Sequence, residues 1–183
     1  MSIREIWLKR VDDKELFKLG FAIRGRPEKR TLLLAPELDS LLSEPIEETE
    51  KSRRIQRLRA DLENILAGEN LIVCWEPYKA RERHQIGRLD PTEDEVFDIR
   101  SVEPPPALRI LFHFAEKDVL VAHLCNPRSI SVSWLNRLPL INRKRWRRAI
   151  QDSNAKWSTL FPDHSPHSGA TIDDYLSNAI ILS

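Results

Sequence analysis

The sequence predicts an α+β fold in which an antiparallel meander of strands is packed on one face by helices. Residues 97–124 contain three short runs in which apolar and polar residues alternate, the period-two pattern of half-buried strands. Helical patterns flank this stretch, with apolar residues three and four positions apart over 55–65 and 146–160. Because the strand-like runs follow one another closely, an antiparallel meander is the simplest topology.

The composition is that of a single globular domain covering 1–183. A chain of 183 residues can bury a hydrophobic core without disulfides or metals. The formal net charge of +1 neither favours nor excludes a nucleic-acid partner, so only the local distribution of charge is informative. No apolar run reaches the ~18 residues of a membrane span, and the first ten residues lack a signal-peptide core. We therefore expect a cytoplasmic protein with no membrane partner.

The N-terminal third predicts two strands and two helices. We expect Ile3–Arg10 to form a first strand, and Leu32–Leu34 to be either a short strand or the lead into the next helix. Pro36 is suited to the first turn of a helix, and Pro45 to the first turn of a longer one. Gly68 is a natural end for the longer helix. The apolar face of that helix consists of Ile55, Leu58, Leu62 and Ile65.

The next segments predict a buried strand and a charged loop. Leu71–Tyr78 is rich in β-formers and ends at a proline, which indicates a strand. Lys79–Glu95 is strongly charged and shows little periodicity, so it is either a binding loop or a solvated excursion. Cys74 and Cys125 lie in apolar runs and are expected to be buried thiols.

The central strands carry the candidate catalytic residues. If Phe97, Ile99 and the alternate residues of 108–114 face the helices, then the polar positions between them face the other way. Guanidinium groups bind phosphate, and imidazole transfers protons near neutral pH. Cleavage of an RNA phosphodiester needs both functions. Ordinary solvent-facing residues of a one-sided sheet would show the same pattern. The candidates are Arg100, Arg109, His113 and His123, the last sharing this face in only one hairpin register.

A basic cluster supplies candidate RNA-binding residues. We expect Asn142 to cap a helix whose packing face includes Trp146, Ile150 and Trp157. Cations in the first turns would oppose the helix dipole, which indicates an anionic partner, and a solvated basic turn screened by salt is the equally weighted alternative. The candidate residues are Arg128, Arg143, Lys144, Arg145, Arg147 and Arg148. Thr171 and Asp174 then indicate a capped, short C-terminal helix.

Metal and cofactor signatures are missing from the sequence. His164 and His167 flank a proline in a turn-rich tail without a nearby cysteine, which is not the spacing of a zinc site. Phosphate-binding glycine loops, dinucleotide fingerprints and nucleophile motifs do not occur. We therefore expect neither a metal nor a small-molecule cofactor.

From residue 97 onward the order of elements resembles the RelE/HigB-like superfamily of bacterial toxins and their phage-encoded relatives. The matching features are FDIR, then LRILFHF, then DVLVAHL, followed by a basic loop and a helix. The resemblance implies a RelE-like core over 51–160, an N-terminal elaboration over 1–50 and a C-terminal tail over 161–183. It matches Arg100 and Arg109 to the family's strand arginines, and His123 to a histidine that many relatives have.

Two functional hypotheses follow from this resemblance. The first is a protein that binds RNA or the ribosome, or a toxin that cleaves messenger RNA without a metal and has a cognate antitoxin-like partner. After the last strand, however, Cys125-Asn126-Pro127-Arg128 keeps one charge of the family's basic pair. The second hypothesis is therefore a catalytically inert protein-interaction module of phage or mobile-element origin.

Overall fold

The structure, a computed structural model, describes residues 1–23, 25–77, 84–105, 107–127 and 139–181, with side chains through 125 and from 145 onward. Within these ranges the chain forms four α-helices and eight strands. The helices are α1 (Ile3–Asp12), α2 (Pro36–Leu42), α3 (Glu50–Leu66) and α4 (Pro139–Leu160). The strands are β1 (Phe17–Lys18), β2 (Thr31–Leu34), β3 (Leu71–Cys74), β4 (Ile86–Arg88), β5 (Phe97–Ser101), β6 (Leu108–Glu116), β7 (Val119–Pro127) and β8 (Ala179–Ile181).

All eight strands belong to one mixed sheet in the order β1-β2-β7-β6-β5-β4-β3-β8. The α+β content and the antiparallel run β5-β6-β7 confirm the coarse prediction. The prediction of an antiparallel meander was wrong for the sheet as a whole. Strand β2 pairs in parallel with β7, and β3 pairs in parallel with both β4 and β8. Strands from both ends of the chain are therefore inserted next to distant partners.

Helices cover both faces of the sheet, so the prediction of one packed face was also wrong. On one face α2 and α3 pack against apolar residues of the strands, including Phe97, Phe112 and Phe114. On the other face α1 and α4 pack against Leu33 and Val121. Three successive leucines of β2 are fully buried, as expected of a strand that is covered on both sides.

The N-terminal segment is a helix, although its sequence predicts a strand. The Ser2 hydroxyl accepts a hydrogen bond from the Glu5 backbone N–H, while the Glu5 carboxylate accepts one from the Ser2 backbone. This capping box supplies partners for amide groups that an isolated helix end leaves unpaired. Ile3, Trp7 and Val11, four positions apart, pack onto the sheet.

Two predicted helix starts were also wrong. The longer helix begins at Glu50 rather than near Pro45, because the Thr49 hydroxyl accepts from the Ser52 backbone N–H and caps it. The last helix begins at Pro139, so Asn142 lies inside it. Proline suits a first helical position because a backbone N–H at that position has no acceptor within the helix, so nothing is lost by its absence. The predicted apolar face of α3 is confirmed, since all four residues are buried.

Two bulges set which residues of the β6–β7 hairpin share a face. Glu116 pairs with Val119, but Phe114 pairs with Leu120, so Ala115 is an extra residue on β6. A second shift, between Leu111 and Phe112 of β6, leaves His123 of β7 without a direct partner on β6. Because of the bulge at Ala115, His113 stands opposite Val121 and shares a face with His123.

Within the described ranges, none of the helices is both long enough and apolar enough to cross a bilayer.

Candidate functional site

Three residues of β5 and β6 form an ionic cluster on the face covered by α4. Asp98 is fully buried, and its Oδ2 accepts hydrogen bonds from Arg100 Nε at 2.9 Å and pairs with Arg109 Nη1 at 3.0 Å. The side chains of Arg100 and Arg109 remain 17% and 16% exposed, so both reach solvent. The Arg109 guanidinium also lies 5.0 Å from the centre of the Trp146 ring on α4. One carboxylate thus holds two partly exposed guanidinium groups in fixed positions.

The cluster extends over Gly87 on the neighbouring strand β4, which pairs with Asp98. A Cβ at Gly87 would lie 2.6 Å from Asp98 Oδ1, 3.1 Å from His84 Nε2 and 3.3 Å from Arg100 Nη2. Three polar atoms therefore converge where any other residue would place a side chain. His84 is 5% exposed and lies in the segment whose sequence predicts only a charged loop.

Replacing Gly87 with alanine should disrupt this cluster. The added methyl group would overlap Asp98 Oδ1, and a fully buried carboxylate has little room to move. We expect the free energy of unfolding to fall by about 1–3 kcal/mol, measured by urea denaturation. Gly20→Ala is the matched control, because its Cβ would meet nothing within 4 Å. Equal stability of both variants would contradict the described packing.

The two predicted catalytic histidines form a separate, buried chain under α4. His113 Nε2 lies 3.0 Å from Asn154 Oδ1, and His123 Nε2 lies 3.1 Å from His113 Nδ1. An amide oxygen only accepts, so His113 carries its proton on Nε2 and its Nδ1 accepts from His123. His113 is 1% exposed, and His123 is fully buried. The Trp157 ring packs against both imidazoles.

Both histidines are held neutral by their surroundings. Burial lowers the pKa of His113 to about 4, and the hydrogen bond with Asn154 opposes this shift. Burial, together with the neighbouring His113 and Lys156, holds the pKa of His123 well below its ordinary value. Neither imidazole therefore contributes a positive charge at neutral pH.

The four predicted catalytic residues thus lie on one face but do not form one site. Arg109 and His113 are four residues apart on β6, which corresponds to about 13 Å along a strand. Asp98 engages both arginines, whereas the histidines contact α4. A phosphate bound by the arginines would therefore be out of reach of either imidazole.

The predicted RNA-binding residues are described only in part. Arg145, Arg147 and Arg148 are exposed on α4, on either side of half-buried Trp146. Because α4 begins at Pro139, these residues lie in its second and third turns, where the helix dipole has little effect. The dipole argument for an anionic partner therefore fails. Arg128 lies outside the described residues, and for Arg143 and Lys144 only the helical backbone is described.

Two other kinds of chemistry, a nucleophilic Cys125 thiol and a metal site, are not supported by the described residues. Burial raises the pKa of the Cys125 thiol to about 11, which makes it a poor nucleophile. Among the residues whose positions are described, no group of three or more histidine, cysteine or acidic side chains is placed to hold a metal ion.

Comparisons with protein-family models, with curated proteins and with solved structures found no match. They neither support nor contradict the resemblance to RelE/HigB-like toxins.

Proposed function

We propose that this protein binds RNA through phosphate contacts, without cleaving it, and that the binding surface joins the Asp98 cluster to the exposed arginines of α4. The observation that supports this proposal is the stacking of Arg109 on Trp146, which brings the ionic cluster next to α4. The surface then combines one buried carboxylate with the guanidinium groups of Arg100, Arg109, Arg145, Arg147 and Arg148.

The charge and geometry of this surface suit a polyanion. Arg100 and Arg109 are oriented by Asp98, and an arginine that is already ordered loses less entropy when it binds phosphate. Arg145, Arg147 and Arg148 on the adjacent helix are exposed and add positive charge to this surface. Contacts of this kind give affinity with little dependence on sequence.

Binding without cleavage follows from the separation between the arginines and the buried histidines. Cleavage requires a proton-transfer group within hydrogen-bond reach of the reacting atoms. A strand bound at the arginines would not contact His113 or His123, because both imidazoles are buried against Asn154 and Trp157 of α4. We therefore assign these two histidines to the packing of α4 rather than to chemistry on RNA.

Salt dependence of RNA binding tests this proposal. Fluorescence anisotropy with a labelled 12-nucleotide oligouridine should show an affinity that falls steeply between 50 and 200 mM salt. The triple variant Arg145→Ala, Arg147→Ala, Arg148→Ala should reduce the slope of log K against log salt by about 2, at ~0.7 per phosphate contact for a single strand.

The matched control removes three arginines from α3, with the same change in charge. Arg53, Arg54 and Arg57 lie on a helix that packs on the opposite sheet face. Equal weakening by both triple variants would show that only net charge matters and would contradict the assigned surface. No binding at 50 mM salt would favour the interaction-module hypothesis. RNA cleavage that Arg109→Ala abolishes would contradict the binding-only form.

A further inference from the structure

A second candidate site lies beside the C-terminal half of α4, in a polar cleft of about 360 Å³. The cleft is bounded by the 3-10 turn Thr92–Asp94, by Asn154 and Ser158 on α4, and by residues 165–168 after that helix. Its volume is in the range of small-molecule sites. It is separate from the ionic cluster, so the inference does not rest on the proposed RNA binding.

Two residues that line the cleft, His113 and Asn154, belong to a neutral hydrogen-bond chain that continues to the buried His123. His123 donates to His113, and His113 donates to Asn154 Oδ1. Asn154 lines the cleft, and its amide NH₂ is the hydrogen-bond donor of this side chain. The indole N–H of Trp157 is also used, since it donates to the His164 carbonyl oxygen at 2.8 Å.

The walls give the cleft a negative charge. Glu93, Asp94 and Glu95 line it, and among the described residues that line the cleft there is no lysine or arginine. Glu95 is compensated, because its Oε1 pairs with Arg88 at 2.8 Å and its Oε2 accepts from the Tyr175 hydroxyl. Glu93 and Asp94 form no ion pair with any residue whose side chain is described. The serine hydroxyls add neutral hydrogen-bonding groups.

We infer that this cleft binds a small organic cation, an ammonium or guanidinium group on a short carbon chain. Glu93 and Asp94 would pair with the cation, and the Asn154 amide would donate to a polar group elsewhere on the ligand. An anion is disfavoured, because within the described part of the chain the cleft has two carboxylates outside any ion pair and no cation. The same chemistry is carried by free small amines and by the arginine side chain of a peptide.

Binding is tested with butylguanidinium and with its uncharged counterpart butylurea, each added to the full-length protein. Titration is followed by NMR of the Asn154 side-chain amide and the Trp157 indole N–H. We expect butylguanidinium to shift both signals with a dissociation constant in the millimolar range, and butylurea to leave them unchanged. Acetyl-arginine methylamide tests whether the arginine side chain of a peptide also binds. If it binds as well, the site accepts an arginine side chain, and if only butylguanidinium binds, the site takes free small cations rather than a peptide.

The double variant Glu93→Gln, Asp94→Asn should weaken butylguanidinium binding about tenfold, at up to about 1 kcal/mol for each exposed charge pair. Glu48→Gln is the control, because Glu48 is exposed and lies before α3, remote from the cleft in the chain. The inference is overturned if butylurea binds as tightly as butylguanidinium, if neither cation shifts the two signals, or if the control weakens binding equally. Loss of RNA binding would leave all of these results unchanged.

Discussion

Replacement of Arg30 by methionine is expected to lower the free energy of unfolding by about 3–5 kcal/mol, the cost of removing one partner of a buried ion pair. The Arg30 side chain is 1% exposed and pairs with Asp118 at 3.3 Å. It also donates to the carbonyl oxygens of Ile65, Glu69 and Ser177. All of these acceptors would lose a charged donor at once. Chemical denaturation at neutral pH measures the loss.

The control for this prediction is Arg26→Met, which removes an arginine from the protein surface. Arg26 pairs with Glu69 where both side chains are about half exposed, and such pairs contribute at most about 1 kcal/mol. The loss in free energy of unfolding for Arg30→Lys should fall between those of the two methionine variants, because lysine keeps the charge but not the planar set of donors. A loss for Arg30→Met no larger than that for Arg26→Met would contradict the buried network.

The protein is expected to lose stability as the pH falls from about 6.5 to about 4. The folded-state pKa of His113 is lowered to about 4, so in this range the unfolded chain binds a proton that the folded protein does not. The stabilisation is complete above the unfolded pKa and is lost on acidification, by roughly 3 kcal/mol for His113 alone. His123 acts in the same direction. Urea denaturation at several pH values across this range gives the slope of the free energy of unfolding against pH.

A double variant, His113→Gln with His123→Gln, isolates this contribution. Glutamine retains hydrogen-bonding groups but does not titrate, so the stability of this variant should depend less on pH between 4 and 6.5. Leu111→Ala is the control: it removes a buried side chain from the same face and should lower stability while keeping the wild-type slope. An unchanged slope in the double variant would assign the acid sensitivity to other groups.

The sequence predicted those elements whose signal is local. The apolar face of α3 and the alternation along β5 and β6 follow directly from residue spacing, and both are confirmed. Ile3–Arg10 was ambiguous, because Ile3 and Trp7 fit spacings of both two and four, and the Ser2–Glu5 capping box decides for a helix. The parallel partners of β2 and β3 could not be predicted, since pairing between distant segments leaves no local pattern.

The candidate site was predicted in part, for the same reason. Alternation placed Asp98, Arg100 and Arg109 on one face, and the structure brings them together. His113 and His123 share a face because of the bulge at Ala115, and no residue type in the sequence indicates that bulge. Packing of α4 over this face is a tertiary contact that leaves no local pattern in the sequence. It buries two imidazoles that were expected to face solvent.

The parallel pairings also bear on how fast the chain reaches its native state. Thr31 pairs with Val119, and Leu71 pairs with Ala179, so the sheet closes only when segments 88 and 108 residues apart in the sequence meet. The entropy of closing such long loops has to be overcome before the contacts stabilise anything. Proteins of high contact order fold in milliseconds to seconds rather than microseconds. The mixed sheet should therefore make this a slow folder for its length.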